Sequence, residues 1–247
     1  MTHLYKPKFS YIIPYRHSPD RIVPLRRIIE WLSGFQGIEV VVVEQDKVSK
    51  ISELTLNVTH IFCESELPFN KAWAYNVALK RTTSSVLAFG DADFVMNPNE
   101  LIEGLKNLEY FDCVIPTSKI VKLSPQESTM DIVSILKVQR DGFKSCMTDG
   151  LSLFKRETIQ KIGGWNEDIL GHGFTNQFQD LKIRRMLNYK QMEFTGYHMS
   201  HKNPQNDLGL FQRNKEILDF YTKENSDLNT HINMTVPKCG FLNKYQD

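Results

Sequence analysis

The 247 residues carry 30 lysines and arginines against 29 aspartates and glutamates, a formal net charge of +1, which speaks against a polyanionic partner such as nucleic acid. That length supports one sizeable core, and no Pro/Gly/Ser-rich linker interrupts it, so a single domain over 1–247 is expected, with parts at 9–115, 116–203 and 204–247. Cys63, Cys113, Cys146 and Cys239 are too scattered for a zinc knuckle or disulfide framework, and no apolar run approaches the roughly 18 residues of a membrane helix or forms a secretory core. The expectation is a soluble, cytoplasmic protein whose Asn-x-Thr triplets at Asn57 and Asn233 carry no glycan.

Along the chain, Phe9 to Pro14 is short, β-branched and aromatic, which predicts a buried strand ending at a proline. Leu25, Ile28, Ile29 and Leu32 follow at helical spacing over Pro24 to Phe35. Ile38 to Val43 is the near-continuous apolar run of a parallel strand buried on both faces. A helix is predicted over Phe69 to Lys80, with Asn76 as a polar interruption beside its apolar stripe, then a strand over Ser85 to Phe89 and a helix over Glu100 to Leu108. Strands alternating with helices predict an open, mostly parallel α/β sheet. Beyond residue 110 the pattern loosens. Strands are expected at Asp112 to Ile115, Gly150 to Phe154 and Met192 to His198, and helices within 130–139, 156–163, 181–188 and 208–223. Residues 163–180, rich in glycine and polar groups, predict a functional loop.

Ligands of open α/β sheets bind at the carboxyl ends of the strands. Three polar clusters fall there: Tyr15-Arg16-His17, Glu44-Gln45-Asp46 and Gly90-Asp91-Ala92-Asp93. Asp91 and Asp93, one residue apart in an extended segment, project to the same side and repel unless a cation lies between them. A divalent metal meets that condition and in turn suits a diphosphate. The plainer alternative is a solvated turn with Asp91 capping the next helix. His198 and His201, after the last strand, have the chemistry to complete a metal site, although a lone histidine is more often an ordinary polar residue. Glu167, Asp168 and Asp180 supply further carboxylates; Asp180 opens a helix, where the dipole favours its ionised form whether or not it takes a proton from a substrate.

The segments FSYIIPYR, VVVVEQD, FNKAWAYNVAL, AFGDADFVM, GGWNEDILGHG and HMSHKN, in this order, resemble the metal-dependent nucleotide-sugar glycosyltransferases of the GT-A fold, in particular the β-1,4-galactosyltransferases and their bacterial family 2 relatives. The resemblance spans about residues 9 to 203. It implies a Rossmann-like sheet flanked by helices, with a C-terminal acceptor-side region. It also implies a UDP-sugar donor, Mn2+ (or Mg2+), and transfer of a Gal- or GalNAc-like hexose, with inversion, to a hydroxyl of a glycan or glycoconjugate. Carried over by position, Pro14, Tyr15 and Arg16 hold the nucleotide, Glu44, Gln45, Asn70 and Lys71 join that side, and Asp91 and Asp93 match D-x-D, with Asp93 as the direct metal ligand. His201, with His198, completes the metal set. Gly163-Gly164-Trp165 match the run leading into the donor and acceptor loop; Trp165, Trp73 and Tyr197 are candidates for stacking on sugar or base, with core packing as the alternative.

The chain departs from the family at GHGFTNQFQDLKIRR, where Gln177 and Phe178 stand in place of a Glu-Asp pair. The proton acceptor is then expected to be Asp180, with Glu167 or Asp168 as alternatives, or the domain binds a nucleotide sugar or glycan without turning it over. A nucleotidyltransferase would bring an early glycine-rich phosphate loop, absent from YRHSPDR. A glycoside hydrolase needs carboxylates about 5 to 9.5 Å apart flanking its substrate, which the Asp91/Asp93 spacing fits less naturally. For the tail from Gln205 onward, packing on the core, a partner and a membrane surface all remain open.

Overall fold

The computed structural model describes residues 8–51, 58–202, 207–223, 228–235 and 239–242. Asn57 lies outside them, and of Asn233 only the backbone is described. In chain order the elements are β1 (Phe9–Tyr15), α1 (Ile22–Ser33), β2 (Ile38–Asp46), β3 (Val58–Glu64), α2 (Lys71–Arg81), β4 (Val86–Gly90), β5 (Phe94–Met96), α3 (Pro98–Asn107), β6 (Cys113–Lys122), α4 (Ile132–Ile135), β7 (Leu151–Lys155), α5 (Arg156–Lys161), α6 (Thr175–Met186), β8 (Tyr189–His198), α7 (Leu208–Thr222) and α8 (Leu228–Thr235).

One sheet runs in the order β3-β2-β1-β4-β7-β6-β8-β5. Its first four strands are all parallel, and β6 pairs with β8 in parallel, while β7 and β5 enter antiparallel. Side-chain alternation along the strands separates two cores. Tyr11, Ile13, Val40 and Val42 pack under α1 and α3 on one face. Ile12, Val41 and Val43 pack under α2, with Ile159 of α5 and Ile183 of α6, on the other. Among the described residues no helix is long and apolar enough to cross a membrane. The four cysteine thiols are all buried and unbridged.

Several elements differ from expectation, each for a physical reason. α6 begins at Thr175, six residues before the expected start at 181, because Phe178 packs with Ile169 and Leu228 in a third apolar cluster. The helical pattern is masked by Gln179, Asp180 and Lys182, polar residues that are buried. β6 continues from Ile115 to Lys122 through irregular register at residues 115–119, where Pro116 needs no ladder donor. The helix expected within 130–139 shortens to the single turn of α4, capped by the Asp131 side chain accepting from Ser134 N at 3.0 Å. The half-polar β3, the three-residue β5, and α8 were not foreseen.

Part of the C-terminal tail is anchored beneath α2. Asn76 Nδ2 donates to Glu167 Oε1 and to Trp165 O, both at 2.8 Å, and its Oδ1 accepts from Trp165 N. Gly240 N donates to the same Glu167 oxygen at 2.6 Å, and Trp73 Nε1 donates to Phe241 O at 2.7 Å. The Lys80 ammonium lies 3.6 Å from the Phe241 ring centroid. Gly240 has φ +71°, and a Cβ there would stand 2.5 Å from Asn76 O. Gly240→Ala therefore faces both left-handed backbone and a fixed carbonyl. We expect it to lower stability by about 1–3 kcal/mol in chemical denaturation.

Candidate functional site

A cleft of about 870 Å³ opens at the carboxyl ends of β1 and β4. Further stretches line it, among them parts of residues 68–71, 143–150, 171–177 and 198–202. It is the place where an α/β sheet presents its loops, and its size suits a small-molecule ligand.

At its floor the turn after β4 delivers Asp93, which is 3% exposed. β5 pairs antiparallel with the end of β8, placing Phe94 opposite His198, and Met199 N donates to Asp93 O at 2.7 Å. This pairing fixes both histidines near the carboxylate: His198 Nε2 lies 3.3 Å from Asp93 Oδ1 and His201 Nε2 lies 3.0 Å from Oδ2. Arg21, at the start of α1, brings Nη1 to 3.6 Å from Asp93 Oδ2 and Nη2 to 3.2 Å from His201 Nδ1. Burial opposes ionisation of Asp93, but His198, His201 and Arg21 together outweigh it and hold the carboxyl well below the usual range. The hydrogen bond to Asp93 in turn raises the His201 imidazole above its ordinary value, against the effect of burial.

The three residues fit a divalent cation. Their candidate ligand atoms all lie within 4.8 Å of one another. Asp93 Oδ1 is buried without a hydrogen-bond partner, since His198 approaches it without hydrogen-bond geometry. One carboxylate with two imidazoles is a donor set suited to Mn and similar borderline ions.

Asp91 is used differently. Lys71 Nζ sits 2.5 Å from its Oδ1, and Gly150 N donates to its Oδ2 at 3.1 Å. Gly150 needs to be glycine, with φ +81° and the Phe94 ring where a Cβ would stand. Lys71 Nζ also donates to Asn176 Oδ1 at 3.2 Å, and Asn176 Nδ2 donates to Asp149 Oδ1 at 2.6 Å. The other Asp149 oxygen accepts from Ser145 Oγ at 2.6 Å and from Cys146 N at 2.9 Å. Despite burial, these donors and nearby Lys71 keep Asp149 below the ordinary carboxylate value.

Of the residues singled out from sequence, Pro14, Arg16, Lys71, Asp91, Asp93, His198 and His201 line the cleft. Tyr15 turns into the core instead, its hydroxyl 3.3 Å from His17 Nδ1. Glu44 is fully buried and accepts from Ser49 Oγ, Lys50 N and His60 Nε2. Gln45 clamps the backbone of Asn70 in both directions, at 2.6 and 2.9 Å, while its own carbonyl accepts from Arg16 Nε. Asn70 caps α2 through Trp73 N, and its amide donates to Glu167 O. Trp165, Trp73 and Tyr197 pack in the cores: Trp165 lies 4.6 Å from Tyr75 between ring centroids, and Tyr197 Oη donates to Leu136 O.

Asp180 lies off the cleft. Met147 N and Thr148 N donate to its two oxygens at 2.6 and 3.0 Å, and Thr148 Oγ1 adds a third bond at 2.8 Å. Burial pushes its carboxyl up against these donors. Glu167 is locked between Asn76 and Gly240, and exposed Asp168 does not reach the cleft. Phe178 is core, while Gln177 does line the cleft. Sequence reasoning missed Arg21, Asp149 and Asn176. A basic residue in YRHSPDR and an acid before the glycine of TDG were visible there, but which side chains face each other was not.

No family profile and no curated protein matches the chain. Among the solved structures that share its fold are two of one enzyme. One is an Asp-to-Asn mutant of Drosophila β1,4-galactosyltransferase 7 in complex with manganese, UDP-Gal and xylobiose. The other is the catalytic domain of the same Drosophila enzyme with xylobiose. Each aligns with TM-score 0.52 at 16% identity, over 90% of this chain and 83% of the other. The chain thus has the α/β GT-A architecture of a galactosyltransferase catalytic domain.

Asp180→Asn tests the placement of that residue: the amide would turn an N–H group toward backbone donors and leave one unsatisfied. We expect a loss of about 1–3 kcal/mol in denaturant titration, whereas a group serving only as proton acceptor would leave stability unchanged.

Proposed function

We propose that the chain is a metal-dependent glycosyltransferase that moves a hexose, Gal- or GalNAc-like, from a UDP-sugar to a hydroxyl of a glycan or glycoconjugate, with inversion. The observation that carries this reading is the cleft itself. Its floor joins a cation-ready triad to the fixed positive charges of Arg16 and Lys71 on a galactosyltransferase-like fold. Both Drosophila structures contain the disaccharide xylobiose, and one also contains manganese and UDP-Gal, which supports a sugar donor and a glycan acceptor here.

In this reading Asp93, His198 and His201 hold Mn2+ (or Mg2+), which when bound neutralises the charge that builds on the departing diphosphate. Residues 9–115 bind the donor. Arg16, carried over the Phe69 ring at 5.9 Å and fixed through Gln45 O, and Lys71, held by Asp91, set positive charge along the nucleotide. Residues 116–203 complete the metal set and face the acceptor.

We assign the proton-accepting role to Asp149 in place of Asp180, because Asp149 faces the cleft. Ser145, Cys146 N and Asn176 hold its carboxylate ionised and oriented. Asp180 serves it from behind by fastening Met147 and Thr148. A domain that only binds a nucleotide sugar is the competing reading, and it is favoured by Gln177 and Phe178 standing where an acid pair would be.

Two measurements test the donor site and then separate the two readings. UDP at a hundred times its dissociation constant should stabilise the chain by about 2.7 kcal/mol with Mn2+ present, and Asp93→Asn should abolish that gain. With a UDP-hexose and Mn2+, Asp149→Asn should lower turnover by about 10²–10⁴-fold while UDP binding persists. Absence of turnover by the unmodified chain, with binding intact, would favour the binding-only reading.

A further inference from the structure

We propose that Arg21 is a resident cation that holds the Asp93 carboxylate in the absence of metal and releases it when a diphosphate enters the cleft, so that metal and diphosphate bind interdependently. This rests on the donor and metal roles proposed above.

The contacts are specific. Arg21 Nη1 lies 3.6 Å from Asp93 Oδ2, the same oxygen that His201 Nε2 reaches at 3.0 Å. Nη2 lies 3.2 and 3.4 Å from the two ring nitrogens of His201. One guanidinium therefore stands against two of the three candidate ligands at once, beside a His201 ring whose Nδ1 also lies 2.9 Å from Lys202 O. The loop behind it is tied down independently, because Asp20 Oδ2 accepts from Lys202 N at 2.5 Å. The Arg21 side chain, 29% exposed on the cleft, can leave without moving its backbone.

A divalent ion at Asp93 meets that guanidinium as a like charge on the same carboxylate. Unlike a lysine or histidine, arginine cannot shed its proton to relieve the conflict, so it must find another anion. A diphosphate in the cleft supplies one, with oxygens that match the guanidinium fork in two places. Metal alone then competes with Arg21, diphosphate alone lacks the metal, and the two together satisfy every charge. Such coupling is reciprocal: whatever factor UDP contributes to metal affinity, metal contributes to UDP affinity.

The test is calorimetric titration of Mn2+ into the full chain, with and without UDP. The unmodified chain should bind Mn2+ at least about tenfold more tightly with UDP, within the range of coupled sites. Arg21→Met should bind Mn2+ alone about tenfold more tightly than the unmodified chain and lose most of the UDP effect. If Arg21→Met leaves the affinity for Mn2+ alone unchanged or weaker, with UDP coupling intact, the Arg21 proposal is overturned while the donor reading stands. No uptake of Mn2+ by the unmodified chain, with or without UDP, overturns both. Should the methionine variant fail to unfold cooperatively, Arg21→Lys supplies the reading. A compact ammonium cannot span Asp93 and His201 together, so Mn2+ alone should again bind more tightly, and unchanged affinity overturns the proposal.

Discussion

A carboxylate buried as deeply as Asp93 cannot stay ionised unless cations surround it, and this requirement organises the site. Three parts of the chain far apart in sequence must meet for it to be satisfied: the turn after β4, the end of β8 and the loop before α1. The β5–β8 pairing aligns the first two, and the Asp20–Lys202 bond ties the third to them. The antiparallel strands of the second half of the sheet are therefore more than an edge. They bring His198 and His201 back beside a parallel sheet whose own loops supply only Asp91 and Asp93.

The other buried acids follow a different logic. Glu44 gathers the residues after β2, Glu167 joins α2 to the tail, and Asp180 fastens the loop at 147–148. Each accepts from at least one backbone N–H of a loop, and Glu44 and Glu167 also accept from side chains on β3 and α2. Among the buried carboxylates of the described residues, only Asp93 keeps a buried oxygen with no hydrogen bond, which sets it apart from acids that hold loops in place.

This distinction explains what could be read in the sequence. Strands β1, β2 and β4 were readable because runs such as IEVVVV and FSYIIP admit few other fates, whereas half-polar β3 was not, and the D-x-D turn was readable because it ends such a strand. Even the unequal roles of Asp91 and Asp93 follow from it, with Lys71 neutralising the first and the histidines facing the second. Glu44, Gln45, Asn70 and Trp165, expected in the site, lie one layer behind the cleft, since a linear pattern gives the strand end and not the direction of the side chain. Asp180, expected at a helix start, lies off the cleft because its helix begins earlier than the polar stretch TNQFQD suggests. With the helix start moved to Thr175, the residue at its mouth becomes Asn176 and Asp180 turns inward.

The two sides of the cleft are also built with different stiffness. One side stands on sheet-borne residues and a capped helix, whereas the opposite wall runs through Gly171, Gly173 and Phe174. Phe174 has φ +69°, a conformation that costs a bulky side chain, of order 1–3 kcal/mol, and persists only where its surroundings hold it. Here the Phe211 ring of α7 holds it, 4.8 Å away between centroids, and Leu210 of the same helix lines the cleft. This wall of the cleft thus depends on a helix outside the sheet. Under the proposed reading, nucleotide recognition would rest on the sheet and tolerate few changes, while acceptor choice would vary with α7 and the loop it supports.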